Sequence, residues 1–187
     1  MSALFPAFLK LAGKRVLVVG GGPVAAFRVT GLLASGALVT VVAPEIRPEV
    51  LHPGLRLEQR PFEPEDLDAV WLVVAAATPE VNRQVAAAAA TRGIFVNAVD
   101  DPANASVYLG GVVRRGGVTV AISTDGRAPA LAGLLREALE AMIPEDVHTW
   151  IAEAARLRAE QKQRAVPLGE RRPLLLQALN RLYAERA

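Results

Sequence analysis

Cysteine is absent from this chain. Disulfides, thiolate nucleophiles and cysteine-ligated metals are thereby excluded. Histidine is nearly absent: His52 and His148 are the only two, one near a turn and one in an expected helix. Isolated and without cysteine, they build no preformed transition-metal cage, so no metal site is expected and both are read as surface residues. Aromatic residues make up 5% of the chain and do not interleave regularly with the basic ones, which argues against a nucleic-acid surface. No apolar run approaches the roughly 18 residues that a membrane span needs. The start, Met1-Ser-Ala-Leu-Phe-Pro, lacks the charged region and cleavage site of a signal peptide. The expectation is a cytoplasmic protein with no membrane and no nucleic-acid partner.

What is present is a large apolar fraction, 52% of 187 residues, carried mostly by alanine and valine. That suffices for a sizeable core, in a chain longer than one typical domain and shorter than two. The net charge is only +2, yet 18 of the 21 basic residues are arginines. Many follow residue 114: Arg114, Arg115, Arg127, Arg136, Arg156, Arg158, Arg171 and Arg172. Guanidinium forks suit carboxylates, so a polyanionic small molecule is a candidate partner, although a solvated face is the simpler role for most of them.

The strongest local signal is Arg15-Val-Leu-Val-Val-Gly20-Gly21-Gly22-Pro23-Val24-Ala25. Five strand formers run into a G-x-G-x-x-A turn and an expected helix, the pattern of a dinucleotide pyrophosphate site. Gly20 permits the tight turn, Gly22 lets the backbone approach a phosphate, and Ala25 lets helix and strand pack closely. A glycine-rich strand–helix turn that binds nothing is the bland alternative.

Strand-like runs at 15–19, 38–43, 55–59, 70–75 and 94–98 alternate with helical stretches at 24–34 and 81–91 and a short connection at 63–67. This order predicts a parallel sheet covered by helices. The pattern then changes. Residues 107–113 are strand-like, and 112–122 reads as a hairpin around Gly116-Gly117. A helix is expected from Pro129, with Leu131, Leu134, Leu135, Ala138, Leu139 and Met142 at i, i+3, i+4 spacing, ending before Pro144. Two further helices are expected, separated by a break at Pro167-Leu-Gly169. The predicted fold class is α/β: a Rossmann-type parallel sheet domain over 1–113, a β-hairpin and helix for dimerisation and substrate over 114–143, and a helical C-terminal domain over 144–187. Exposed apolar stripes on the later helices predict a homodimer.

The dinucleotide fingerprint usually places an acid at the end of the second strand, where it binds ribose. Here Ala43 and Pro44 stand there, and Glu45 comes two residues late. Arg47 is the nearest arginine, so NAD is preferred over NADP. After the fifth strand, Asn97-Ala-Val-Asp100-Asp101-Pro102 would line the ligand crevice, where a carboxylate can accept a proton or stabilise a cation. Turn capping by Asp100 or Asp101 is the alternative. Ser123-Thr124-Asp125-Gly126-Arg127-Ala128-Pro129 offers hydroxyls and amides at a helix start, either for an anion or for plain N-capping.

Together these segments resemble the precorrin-2 dehydrogenase / sirohydrochlorin ferrochelatase family, the dehydrogenase module of sirohaem synthases. The motifs are the glycine loop, Leu32-Leu33-x-x-Gly36-Ala37-x-Val39-Thr40-Val41-Val42-Ala43-Pro44, Asn82 after Ala-Ala-Thr78, and Asn97-x-Val99-Asp100-Asp101-Pro102. Val118-Thr-Val-Ala-Ile-Ser123-Thr124-x-Gly126-x-x-Pro129 and Leu135-Arg136-Glu137 complete the set. The resemblance implies NAD-dependent oxidation of precorrin-2, a tetrapyrrole polycarboxylate, to sirohydrochlorin. It implies Asp100 as the catalytic carboxylate. It implies cofactor contacts at Gly20, Gly21, Gly22, Pro23, Val24, Ala43, Pro44 and Thr78, and substrate contacts at Ser123, Thr124, Gly126, Arg127 and Pro129. A stand-alone module is expected, with Fe(II) insertion as an alternative second activity. A non-catalytic NAD-sensing or tetrapyrrole-binding module is the alternative of another class. Departures from the family pattern are Phe27-Arg28 in the first helix, Pro79-Glu80 after Thr78, Gly110 in place of a proline, and Asp125 beside Gly126.

Overall fold

The computed structural model describes residues 4–184; part of the chain start read above, residues 1–3, lies outside them. The described residues divide into two compact units. The first comprises residues up to Leu109 together with Asp125–Arg127; the second comprises Gly110–Thr124 and the chain from Ala128 onward.

In the first unit, β1 (Arg15–Val19), β2 (Leu38–Val42), β3 (Arg56–Glu58), β4 (Leu72–Ala75) and β5 (Phe95–Ala98) form one parallel sheet in the order β3-β2-β1-β4-β5. Valine dominates the central strands because both faces of the sheet are covered, which favours β-branched residues at every position. The alternation of the pleat sorts them between two cores. Val16, Val18, Val39, Val41, Leu72 and Val74 face α1 (Pro23–Ala34), whose Ala25, Val29 and Leu32 meet them. Leu17, Val19, Val42, Val73 and Ala75 face α2 (Pro79–Ala90) through Val85, Ala86 and Ala89. The sheet is therefore doubly wound, as expected, and its strand order changes direction beside β1. The connections leaving the carboxyl ends of β1 and β4 consequently run to opposite faces of the sheet, which opens a crevice between them.

One expected strand is shorter than its sequence suggests. Residues 107–110 are strand-like in composition but join no ladder; β6 begins at Gly111. The reason is local. The N–H groups of Ser106 and Val107 both donate to Val96 O at 2.9 Å, and the Ser106 hydroxyl accepts from Val96 N at 2.8 Å. The buried Asn97 donates its Nδ2 to Val107 O at 3.0 Å. Side chains thus take the bonds a regular ladder would use, and they cover the outer edge of β5.

In the second unit, β6 (Gly111–Arg115) and β7 (Val118–Ile122) form the anticipated hairpin, turning at Gly116 and Gly117, both with positive φ. Helix α3 (Pro129–Met142) packs on it: a Cβ at Gly111 would meet Ala132 O at 3.2 Å. Arg115 donates to Ile143 O at 2.6 Å, tying the hairpin to the end of α3. Helices α4 (Val147–Gln163) and α5 (Leu168–Ala184) follow. The break falls at 164–167, so Leu168 and Gly169, read as part of it, are helical. Pro173 is accommodated inside α5 near its start. No described helix is long and apolar enough to cross a membrane.

Candidate active site

The site is built at the carboxyl ends of β1, β4 and β5. Gly20 leaves β1 with φ +128, and a side chain there would be driven into the Ala76 carbonyl after β4. Gly21 is equally constrained on its other side, where a Cβ would strike the Glu45 carbonyl. The loop is bound into place by Gly20 N to Val42 O and Arg47 N to Gly21 O, both 2.9 Å. Gly22 differs: nothing lies within 4 Å of where its Cβ would be. The fold needs glycine at 20 and 21, whereas the open space at 22 suits an approaching ligand.

Helix α1 begins at Pro23 with no side-chain cap and no acidic residue in its first turn. The backbone ladder starts with Ala26 N to Gly22 O at 3.1 Å. The N–H groups of Val24 and Ala25 precede it and point toward the helix's positive end, where an anion is stabilised. These features fit a dinucleotide pyrophosphate. Ala43, after β2, is buried, and its N–H bonds Glu58 O at 3.2 Å; Pro44 beside it is exposed. No acid stands at that strand end, as the sequence indicates.

A cleft of about 380 Å³ adjoins the loop, lined by Val24, Ala76, Ala77, Pro79, Asn82, Val99, Asp100 and Asp101. Asn82, only 4% exposed, turns its Oδ1 back to accept from Ala77 N at 3.0 Å and so fixes the backbone leaving β4. Thr78 is the N-cap of α2, its hydroxyl accepting from Val81 N.

The two aspartates after β5 are in different circumstances. Asp101 does the turn chemistry: it precedes the short 3-10 helix Pro102–Asn104, and its Oδ2 accepts from Asn104 Nδ2 at 2.7 Å. Asp100 lies exposed at the cleft with φ +57, a left-handed conformation that aspartate tolerates better than most residues. No hydrogen bond or ion pair engages its carboxylate among the described residues. Its electrostatic neighbour is Arg28 on α1. Burial pulls that guanidinium below its ordinary value, and the charge of Asp100 opposes the pull. Arg28 also donates to Leu109 O at 3.1 Å, while its buried Nε has no acceptor. In the sequence Arg28 stands out only as a departure from the family pattern. Its signal was available: position 28 falls one turn after Ala25 and next to Val29, on the edge of the buried stripe of α1.

Of the segment 123–129, residues Asp125–Arg127 belong to the first unit. Gly126 (φ +73) leaves no room for a side chain, with Pro102 Cγ at 3.0 Å and Tyr108 Cε1 at 3.1 Å from a would-be Cβ. Arg127 and Asp125 pair at 3.1 Å on the surface. In the second unit, Thr124 Oγ1 accepts from Ala128 N at 3.2 Å, so this hydroxyl serves the entry to α3, with Pro129 in its first turn. Ser123 and Pro129 are exposed, as are His52 and His148.

Known proteins agree with this architecture. Residues 7–111 match a family described as putative NAD(P)-binding, and residues 115–142 match one described as sirohaem biosynthesis protein central. The chain is 42% identical to siroheme synthase of Photorhabdus laumondii over 96% of its own length and 39% of that protein's. It is 37% identical to siroheme synthase of Zymomonas mobilis, over 97% and 40% respectively. It thus spans about two fifths of the length of these curated relatives. Among solved structures it is similar to SirC, a precorrin-2 dehydrogenase, with a TM-score of 0.69 and 28% identity, covering 93% of this chain and 88% of the other. The chain belongs to the putative NAD(P)-binding family.

Proposed function

We propose that this chain oxidises precorrin-2 to sirohydrochlorin with NAD. The reaction removes two electrons and two protons from the macrocycle, as one hydride and one proton. NAD, when bound, takes the hydride. The chain supplies the rest. Gly22, Val24 and Ala25 offer backbone N–H groups to the pyrophosphate, with Gly20, Gly21 and Pro23 shaping the turn. Ala43 and Pro44 flank the adenosine, and Thr78 lies at the cofactor side of α2. No arginine replaces the missing acid at the end of β2, which favours NAD over NADP. Asp100 accepts the proton, or stabilises the cation that develops as hydride leaves.

The observation that carries the reading is the contrast between the two aspartates: Asp101 is engaged in the turn, while Asp100 is unengaged at the cleft beside the glycine loop. The left-handed backbone explains an aspartate or asparagine at position 100, but not a carboxylate left unengaged at the cleft. Ser123, Thr124, Gly126, Arg127 and Pro129 are assigned to the substrate by their match to the family's tetrapyrrole-side segment. The Asp125–Arg127 pair reduces the repulsion that Asp125 alone would exert on a substrate carboxylate. The same reading makes the protein a cytoplasmic homodimer, joined through the apolar face of α3, where Leu131, Leu134, Leu135 and Met142 are all exposed.

Incubation of the purified chain with precorrin-2 and NAD, followed by NADH absorbance, tests the proposal. NADH forming in step with sirohydrochlorin is the expected result. Binding of both molecules without turnover would instead assign the chain to a sensing or carrier role.

A further inference from the structure

A second cavity, of about 370 Å³, lies within the second unit between α4 and α5. Its lining is mixed: Leu157, Val166, Leu174, Ala178 and Leu182 are apolar, while Arg156, Arg164 and Arg181 stand with Glu153 and Glu160. The charges do not cancel. Arg156 engages both glutamates, meeting Glu153 at 2.6 Å and also pairing with Glu160, and its hydrogen bond holds the Glu153 carboxyl below its usual range. Arg164 and Arg181 have no carboxylate partner among the described residues. Both line the cavity.

Gln161 supplies an independent sign. It lines the same cavity, is only 7% exposed, and its Nε2 is buried without an acceptor. An unmet buried donor is costly, and a helix pair that needed only to pack would be better served by an apolar residue there. The cavity therefore offers two guanidinium forks without a carboxylate partner, an excess of arginine over glutamate, apolar side chains, and in Gln161 a lining residue whose amide donor is unmet.

We propose that this cleft binds a small carboxylate bearing an apolar body. The planar oxygens of a carboxylate match the guanidinium forks in a way a point charge does not. A turn of the Gln161 amide toward the ligand gives Nε2 the acceptor it lacks, and the alkyl part covers Leu157, Leu174 and Leu182. The volume lies in the range of small-molecule pockets. Inorganic phosphate makes no use of the apolar side chains, and a nucleic-acid strand finds no aromatic residue among the lining to stack upon. The site is confined to the second unit and involves no hydride transfer, so it stands or falls separately from the dehydrogenase proposal.

Hexanoate is the probe. The full chain, isotopically labelled, is titrated at constant ionic strength and followed by amide chemical shifts. Saturable shifts confined to α4 and α5 are expected, with a dissociation constant in the millimolar range. Arg181→Gln and Arg164→Gln, both on exposed residues, each weaken binding by about tenfold. Gln161→Leu raises the melting temperature of the ligand-free protein while weakening hexanoate binding. Phosphate and hexylamine give no saturation at these residues. The proposal is overturned by non-saturable shifts up to about 50 mM hexanoate, by an equal response to phosphate, or by unchanged affinity in both arginine variants. A lower melting temperature in Gln161→Leu would make Gln161 a packing residue and also overturn it.

Discussion

A methyl group added at Gly20 would collide with the Ala76 carbonyl in a backbone conformation with φ +128, whereas one added at Gly22 would meet open space. Two glycines of one motif are thus glycine for different reasons, and they separate experimentally. Gly20→Ala should destabilise the protein by about 2 kcal/mol or more, lowering the melting temperature by roughly 5 °C or more. Gly22→Ala should change stability by less than about 1 kcal/mol yet weaken NAD binding, because the added carbon would fill the open space that the proposed function gives to the phosphate. Thermal melts and a cofactor titration check both. The motif was fully legible in the sequence; the division of labour within it was not, because it depends on Ala76 and Glu45, which the fold brings from other strand ends. The same holds for the aspartate pair. Sequence left capping open for either residue, and the Asn104 side chain settles which one is engaged in the turn.

Among the elements, those with strict periodicity matched their expected positions closely: the valine-rich strands, α1, α2, the Gly116-Gly117 hairpin and α3. Residues 107–110 did not, because propensity for strand cannot reveal that Ser106 and Asn97 side chains take up the bonds of Val96 and Val107. Another local device invisible to periodicity is the clamp that holds the segment before β4. Arg60 donates two bonds to Asp66, and Asp66 also accepts from Glu63 N at 2.9 Å. Burial pushes the Asp66 carboxyl up, but the Arg60 hydrogen bonds, the Glu63 N–H and the Arg60 charge outweigh it and leave it below its ordinary range. A carboxyl depressed in the folded state stabilises that state above its unfolded value, near pH 4, and the benefit disappears as pH falls through the folded value. Wild type should therefore be more stable than Asp66→Asn at neutral pH, by about 1 kcal/mol given the partial exposure of Arg60. The gap should close on acidification below about pH 4, as read from urea unfolding at several pH values. A gap independent of pH would mean that packing rather than charge is responsible.

At the scale of the molecule, the open apolar face of α3, the cleft at the glycine loop and the cavity between α4 and α5 are features of the described residues that a single chain leaves unused. Leu134 is 64% exposed and makes a clean test of assembly. Leu134→Glu should leave the secondary structure intact and convert a dimer to a monomer in analytical ultracentrifugation. A monomeric wild type would remove the dimer from the account. The central claim concerns Asp100, and the most direct measurement compares single-turnover NADH formation from precorrin-2 in Asp100→Asn and Asp101→Asn. Asparagine tolerates the left-handed backbone at position 100, so the substitution removes charge with little strain. Asp100→Asn should lose about 10²- to 10⁴-fold in rate, with NAD affinity and melting temperature retained. Asp101→Asn should stay within a few-fold of wild type. Equal rates in the two variants, or the larger loss at Asp101, would contradict the claim.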